Sequence, residues 1–269
     1  MEQLTFLAVH AHPDDEASSS GGLYRLLADQ GVRTVLVTCT NGECGDGPDG
    51  AKPDASHHDG DEVAAIRAVE LDNAVKILGI SRLVRLGYRD SGMKGWPQND
   101  DPESFWATPV EVAAAKLADI LIEERPQVIM TYNAHGFYGH PDHIMANVVT
   151  RAALELAASP KRLYYPVAPK GVLERFVAGA RAQGVFLPAW ILDAGHTVSD
   201  DAVSTTMDVR NFAKQKHLAI ATHASQVDNA DLVTMDEELF TLLFGIEYYE
   251  RAWSRDVTSG DETDLFGGL

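Results

Sequence analysis

The stretch LTFLAVHAHPDDEASSSGGLYRLLADQGVRTVLVTCT, residues 4–40, shows how the chain is built. It opens with an apolar run, residues 4–9, and continues through a polar turn into a helix-like segment from about residue 20 to Gly31. Glycine is the residue that most often ends a helix. Residues 32–40 are apolar and rich in β-branched side chains, which is typical of a parallel strand covered on both faces. The stretch therefore predicts a β-α-β unit with two parallel strands.

The same alternation continues along the chain. Helices are predicted over residues 62–78, 110–124, 143–158, 170–183 and from 210 to about 223, with strands over residues 82–86, 127–132, 161–165 and near 202–209. Alternating elements of these lengths predict an α/β, Rossmann-like layered fold with a mainly parallel central sheet. We predict a single domain over residues 1–269. In this division residues 1–160 form the Rossmann-like core, and residues 161–269 complete the sheet and the substrate pocket.

Charge and composition exclude several classes of partner. The 269 residues include 22 basic and 40 acidic side chains, for a formal net charge of -18. Such a field repels phosphate backbones and anionic membrane surfaces, so we expect neither nucleic acid nor a membrane as partner. No apolar run reaches the roughly 20 residues that span a bilayer, and the first residues lack a secretion signal, so a cytoplasmic location is expected. Two cysteines, Cys39 and Cys44, do not indicate a disulfide framework.

Two polar motifs follow predicted strands. His10-Ala11-His12-Pro13-Asp14-Asp15-Glu16 follows the first strand, and His140-Pro141-Asp142-His143 follows the strand predicted over residues 127–132. The carboxyl ends of parallel strands meet at one edge of a sheet, so we expect the two motifs to meet there. A single His-X-X-Asp is more often a set of hydrogen-bonding loop residues than a metal site. Two such motifs at one edge favour a functional site over a structural cluster of hydrogen bonds.

The residue types indicate a metal centre. Adjacent carboxylates repel each other unless a cation compensates, which favours a metal ion on one of them. We predict His12, Asp15 and His143 as the ligands, because His140 and His143 lie three apart at a helix start and only one needs to bind. Three protein ligands leave a position for water, as in catalytic rather than structural sites.

The remaining polar groups predict hydrolysis by a metal-activated water. Asp14 is expected to take the proton of that water and to deliver it to a departing amine. The metal and a protonated His140 would stabilise the oxyanion, and Asp142 would orient and charge His140. Two imidazoles and one carboxylate suit Zn2+, Fe2+, Co2+ or Mn2+ equally well, so the donor set does not select one metal.

Together these motifs resemble the LmbE-like (PIG-L) family of zinc-dependent N-deacetylases. The similarity is strongest to the mycothiol-pathway branch, which contains an N-acetylglucosaminyl-inositol deacetylase and a mycothiol-conjugate amidase. It extends to Thr40-Asn41-Gly42-Glu43, to Arg89-Asp90-Ser91-Gly92-Met93 and to Thr222-His223-Ala224-Ser225-Gln226. The resemblance implies zinc at His12, Asp15 and His143, with Asp14 as general base and His140 as oxyanion partner.

The resemblance also implies substrate contacts. Arg67, Asp90 and Asp46 match positions that contact sugar hydroxyls in the family, and Tyr138 matches a mobile tyrosine beside the metal. Each has an alternative: Arg67 could pair with Glu70 at helical spacing, Asp90 could form a turn, and Tyr138 could pack against the rim. The chain departs from the branch in carrying His-Gly-Phe-Tyr at residues 135–138, where Asn-Gly-Gly-Tyr is usual.

These observations predict metal-dependent hydrolysis of an N-acyl group, foremost N-acetyl, on a glucosamine-containing small molecule. The expected partner is an N-acetylated amino sugar or glycoconjugate, and homo-oligomerisation is left open. Two alternatives remain. One is an amidase that cleaves a mycothiol-type thiol conjugate, and the other is a non-catalytic protein that binds a metal or a glycoside.

Overall fold

The computed structural model describes residues 3–48, 50–182, 197–255 and 263–269. Its strands, in chain order, are β1 (Thr5–His10), β2 (Arg33–Thr40), β3 (Arg82–Tyr88), β4 (Val128–Met130), β5 (Arg162–Pro169), β6 (Thr197–Val198), β7 (Thr205–Asp208) and β8 (Ile246–Ser254). Its α-helices are α1 (Asp15–Asp29), α2 (Gly60–Leu78), α3 (Val110–Glu124), α4 (Gly136–Gly139), α5 (Pro141–Leu156), α6 (Lys170–Ala182), α7 (Ala213–Thr222), α8 (Ala230–Val233) and α9 (Glu237–Phe244). The α/β class is confirmed.

The strands form one sheet in the order β3-β2-β1-β4-β5-β8-β7, and β6 pairs with β5. The first five strands of this order are parallel, which confirms the mainly parallel sheet. Strand β8 is antiparallel to both β5 and β7 and was not predicted. Its charged residues interrupt the apolar pattern by which buried strands are recognised. The predicted division at residue 160 stays a prediction, although β5, β7 and β8 all follow it and join the same sheet.

Apolar side chains cover the sheet on both faces. Along β1, Phe6 and Ala8 point into one apolar layer, while Leu7 and Val9 point into the other, as strand alternation requires. Helices α1, α2, α7 and α9 pack on the first face, and α3 and α5 pack on the second. Among the described residues, no helix is both long enough and apolar enough to span a lipid bilayer.

Helix α1 begins at Asp15, earlier than the sequence predicted. Asp14 O accepts hydrogen bonds from the backbone N–H groups of Ala17 and Ser18, which establishes the first turn directly after the motif. The run Ser18-Ser19-Ser20-Gly21-Gly22 has a low helix propensity, so it concealed this turn. Ser20 itself is non-helical, with φ -145° and ψ 24°, and it kinks the helix.

A buried ion pair joins strand β8 to this kink. Glu247 accepts hydrogen bonds from the N–H groups of Gly22 (3.0 Å) and Leu23 (2.9 Å), from Lys216 Nζ (2.7 Å) and from Tyr249 Oη (2.7 Å). Its carboxylate therefore holds α1 and α7 against the antiparallel part of the sheet. Gly22 must lack a side chain here, because a Cβ would lie 2.4 Å from Val209 Cγ2.

We predict that Lys216→Met lowers the free energy of unfolding by about 3 to 5 kcal/mol, because it leaves the buried Glu247 carboxylate without its cation. Chemical denaturation measures this change. Asp72→Asn is the control, since it breaks an exposed pair with Arg85 (2.7 Å) and is expected to cost at most about 1 kcal/mol. Equal losses in the two variants would show that the buried pair has no special role.

Candidate metal centre

The sheet topology brings the two motifs together. Strands β1 and β4 are parallel neighbours, so both end at the same edge of the sheet. Helix α1 starts there with Asp15 as its first residue. Helix α5 starts there with His140 as N-cap and Pro141 at its first position, where the missing N–H of proline costs nothing. The side chains of His12, Asp15, His140, Asp142 and His143 therefore meet in one cluster, and Asp14 precedes Asp15 at its edge.

Donor atoms from three side chains, with both oxygens of Asp15 taking part, lie 3.3 to 3.5 Å from one another. His12 Nδ1 lies 3.3 Å from His143 Nε2 and 3.5 Å from Asp15 Oδ2, while His143 Nε2 lies 3.5 Å from Asp15 Oδ1. Tetrahedral ligands at about 2.0 to 2.1 Å from an ion are about 3.3 to 3.4 Å from one another. Burial lowers the pKa of His143 to about 4, so its imidazole is neutral, as a ligand must be. The geometry and the donor types fit a divalent metal ion.

A hydrogen-bonded chain orients His12. Its Nε2 faces Asp142 Oδ2 at 3.3 Å, which leaves Nδ1 to face Asp15 and His143. Asp142 accepts in turn from Ser91 N–H (2.9 Å) and from Ser91 Oγ (2.5 Å), and Ser91 Oγ accepts from Trp106 N–H (2.9 Å). When a carboxylate accepts a hydrogen bond from the ring nitrogen of a histidine that does not bind the metal, it fixes the tautomer of that histidine and raises its basicity as a ligand.

A second set of donors lies beside the first. One donor atom from each of His12, Asp90, His140 and Asp142 falls within 4.8 Å of the others. The carboxylates of this set are already occupied, since Asp142 accepts from Ser91 and Asp90 Oδ1 accepts from Gly92 N–H at 2.8 Å. The donors of the first set lie 3.3 to 3.5 Å apart, the spacing of ligands around one ion, which makes the first set the better ion site.

The pocket carries surplus negative charge. Burial opposes a charge on His12, yet Asp90, Asp142 and Asp15 together raise the pKa of its imidazole well above the usual value. The same carboxylates would stabilise a divalent cation in place of that proton.

His140 differs from its predicted state. Burial, then the charges of His12 and His143, lower the pKa of His140 to about 2, so the ring is neutral rather than protonated. Its Nδ1 accepts the Asp142 backbone N–H at 3.2 Å, which places the ring proton on Nε2. Asp142 therefore contacts His140 through its backbone, while its carboxylate is turned to His12 and Ser91. The structure corrects the predicted pairing of the Asp142 carboxylate with His140, and Nε2–H of His140 remains a donor.

Asp14 has a strained backbone and a base-like carboxyl group. Its φ of 116° is rare for a residue with a side chain, and such strain persists only where the surroundings enforce it. Burial raises the pKa of Asp14 to about 6, although the nearby Arg67 lowers it. A carboxylate with a pKa near neutrality is suited to both taking and returning a proton.

Arg67 is buried rather than open to a ligand. Its Nη1 donates to Gly42 O at 3.0 Å, while its Nη2 donates to Pro13 O and lies 3.3 Å from Asp14 Oδ2. It does not pair with Glu70, which instead accepts from Ser225 N–H and Oγ, both at 2.8 Å. The structure thus places Arg67 beside the Asp14 carboxylate, with 4% of its surface exposed.

The other residues predicted to contact the substrate, Asp90, Asp46 and Tyr138, differ in how near they lie to the candidate metal ligands. Asp90 Oδ1 is 3.6 Å from His12 Nε2, so Asp90 belongs to the pocket wall. Asp46 binds Lys52 Nζ (2.7 Å) and the Val227 N–H (3.2 Å), which ties two loops together. Tyr138 is 54% exposed and its ring centroid lies 5.0 Å from that of His143, which places it on the solvent side of the cluster. Phe137 before it is held at φ 63°.

Three further residues support the ligands and were not assigned from the sequence. Besides Ser91, these are Tyr132, whose ring stacks on His143 at 4.0 Å and whose Oη accepts the Ala11 N–H at 2.9 Å, and Asn147, which donates to Tyr132 O at 2.7 Å. Ser91 occurs in one of the stretches that resemble the family, residues 89–93. Asn147 follows His143 by four residues, which places it on the same helix face.

The fold and this cluster define an α/β protein with a candidate single-ion centre at the carboxyl edge of its sheet. Residues 7–154 match the PIG-L family, described as GlcNAc-PI de-N-acetylase. A 1D-myo-inositol 2-acetamido-2-deoxy-alpha-D-glucopyranoside deacetylase of Thermomonospora curvata is 40% identical over 286 residues, covering 98% of this chain and 96% of that protein. The chain therefore belongs to the PIG-L family.

Solved structures share the fold at low sequence identity. An N,N'-diacetylchitobiose deacetylase from Pyrococcus horikoshii superposes with a TM-score of 0.55 at 21% identity, covering 92% of this chain and 82% of that one. GalB, the 4-carboxy-2-hydroxymuconate hydratase of Pseudomonas putida, superposes with a TM-score of 0.62 at 17% identity, covering 96% and 99%. One fold thus carries different reactions, so the residues of the site must decide the chemistry.

We predict that Asp142→Asn weakens the affinity for Zn2+ by about 10- to 100-fold, because His12 loses the carboxylate that sets its tautomer. Competition with a chromogenic chelator measures the affinity. Asp100→Asn removes the same charge from an exposed position on the neighbouring loop and is the control. Unchanged affinity in Asp142→Asn would mean that its carboxylate does not orient the ligand.

Proposed function

We propose that the protein is a metal-dependent amidohydrolase that removes an acyl group, foremost acetyl, from the amine of a glucosamine-containing small molecule. The observation that carries the proposal is the meeting of the His12, Asp15 and His143 donors with the base Asp14 and the donor His140 in one pocket. Metal affinity alone requires neither Asp14 nor His140. Their presence favours catalysis over a protein that only binds a metal or a glycoside.

His12 Nδ1, the Asp15 carboxylate and His143 Nε2 would hold the ion. A divalent ion bound there supplies Lewis acidity, which polarises the amide carbonyl and lowers the pKa of a water molecule. Membership of the PIG-L family and the donor types favour Zn2+ as this ion. The donor set suits Fe2+ as well, so the identity of the metal belongs to the proposal.

Asp14 and His140 would move and hold the protons of the reaction. Asp14 takes a proton as a water oxygen attacks the amide carbon, and His140 Nε2–H donates a hydrogen bond to the carbonyl oxygen as negative charge grows on it. When the C–N bond breaks, Asp14 returns the proton to the nitrogen. The products are the free amine and a carboxylic acid, acetic acid in the foremost case, which loses its remaining proton to solvent.

The substrate class is proposed from the relatives. The deacetylase of Thermomonospora curvata acts, by its name, on an inositol glycoside of N-acetylglucosamine, and it is similar to this chain along nearly its whole length. Asp90 in the pocket wall and Tyr138 on the solvent side of the cluster are the proposed contacts for the sugar, while Asp46 and the buried Arg67 support them indirectly. The second candidate is the amidase that cleaves a thiol conjugate of such a sugar. The ring of Phe137, whose centroid lies 6.4 Å from that of Tyr138, adds bulk beside this tyrosine and favours the smaller acetyl group over that longer acyl chain.

We expect the wild-type protein to release free amine from N-acetylglucosaminyl compounds, and a chelator to abolish the release. A panel that varies the group at the anomeric carbon and includes one N-cysteinyl conjugate distinguishes deacetylase from amidase by the acid produced. Amine release that persists in the presence of chelator would contradict the role of the metal.

Asp14→Asn is expected to keep its metal and to lose at least about a hundredfold in kcat, the usual size of a general-base contribution. Metal analysis and steady-state kinetics measure the two effects. Asp29→Asn, at the exposed end of the same helix, is the matched control and should behave as wild type. Full activity in Asp14→Asn would remove Asp14 from the mechanism.

A further inference from the structure

Glu16 and His223 form a buried pair that the mechanism does not use. Both side chains are fully buried, and His223 Nε2 lies 2.8 Å from Glu16 Oε1. Among the described residues, His223 Nδ1 has no hydrogen-bond partner. Within the described ranges, the His223 ring therefore makes its only hydrogen bond with Glu16.

Glu16 connects this pair to the base. Its second oxygen, Oε2, accepts the backbone N–H of Asp14 at 3.0 Å. That peptide belongs to the residue held at φ 116°, outside the conformations that side-chain-bearing residues prefer. A charged acceptor at this N–H opposes relaxation of the strained turn.

The position of His223 is fixed from helix α2. Glu70 accepts from Ser225 N–H and Oγ, and Thr222 Oγ1 donates to Glu70 O at 3.4 Å. The same helix carries Arg67, which contacts the Asp14 carboxylate. Asp14 is thus held from two sides, by Arg67 at its carboxylate and by the pair Glu16 and His223 at its backbone.

We propose that His223 is a positioning residue that acts through Glu16 to keep the Asp14 carboxylate aimed at the reacting water and amine. The inference rests on the proposed function, because it assigns His223 to the same proton transfer. It also gives a role to two residues that the proposed mechanism does not use. These are Glu16, the last residue of the first motif, and His223, which lies in the family-like stretch 222–226.

His223→Leu is the main test. It removes the partner of Glu16, so kcat is expected to fall roughly ten- to a hundredfold, the cost of misplacing a catalytic group by about 1 Å. KM and the amount of bound Zn2+ should stay at the wild-type values. His223→Gln keeps an N–H at the place of Nε2 and should retain most of the activity.

His217→Leu is the matched control for fold damage. His217 lies on α7, and its Nε2 contacts the carbonyl oxygens of Leu232 (2.9 Å) and Val233 (3.2 Å), which puts it outside the Asp14 network. The same substitution there should lower the thermal midpoint while kcat remains unchanged.

A double-mutant cycle separates positioning from a general structural role. If His223 acts through Asp14, then Asp14→Asn combined with His223→Leu loses no more activity than Asp14→Asn alone. Losses that multiply, or a wild-type kcat in folded His223→Leu, would overturn the proposal. If His223→Leu does not fold, Glu16→Gln takes its place with the same expectations, because it keeps the shape of the side chain and removes only the charge.

A crystal structure of His223→Leu supplies a readout that does not depend on turnover. The proposal expects Asp14 to leave the positive-φ region while His12 and His143 stay in place. An unchanged Asp14 peptide would overturn it. If the wild-type protein releases no amine from the panel, the proposed function is contradicted. The Asp14 backbone in the His223→Leu crystal structure still tests whether His223 positions Asp14.

Discussion

The donor atoms of His12, His143 and Asp15 crowd together at the carboxyl edge of the sheet, where one shared cation would satisfy all three side chains. Their separations of 3.3 to 3.5 Å are those of ligands around one small cation. The surrounding groups follow from this arrangement. Asp142 and Ser91 turn the correct nitrogen of His12 inward, and Tyr132 supports the face of the His143 ring. The chemistry proposed for the pocket depends on these contacts.

The fold brings the two motifs together and also stabilises part of their negative charge. Because β1 and β4 are parallel neighbours, helices α1 and α5 both begin at the pocket, each directing its positive dipole end toward it. Asp15 and Asp142 lie in the first turns of these helices, where a negative charge is stabilised. The pocket can therefore hold several carboxylates in a buried space. The antiparallel strand β8 contributes from a distance, since Glu247 fixes the kink that follows the first turns of α1.

The parallel part of the sheet and the meeting of the two motifs could be predicted, because apolar runs, cap residues and motif spacing are local properties of the sequence. The antiparallel strand β8 could not, because its pairing with β5 depends on residues about 90 positions away. The contacts of Asp142, Arg67 and His223 were missed for a related reason. A carboxylate two residues from His140 suggested that histidine as its partner, yet the turn at the start of α5 directs the side chain to His12. Contacts between distant segments decide such assignments.

The most direct test is the position of the ion. Crystals grown with Zn2+ and measured at the zinc absorption edge would show it as an anomalous difference peak. The account predicts one peak at about 2.0 to 2.2 Å from His12 Nδ1, an Asp15 oxygen and His143 Nε2. A peak between Asp90, His140 and Asp142, with Asp15 and His143 out of reach, would contradict it.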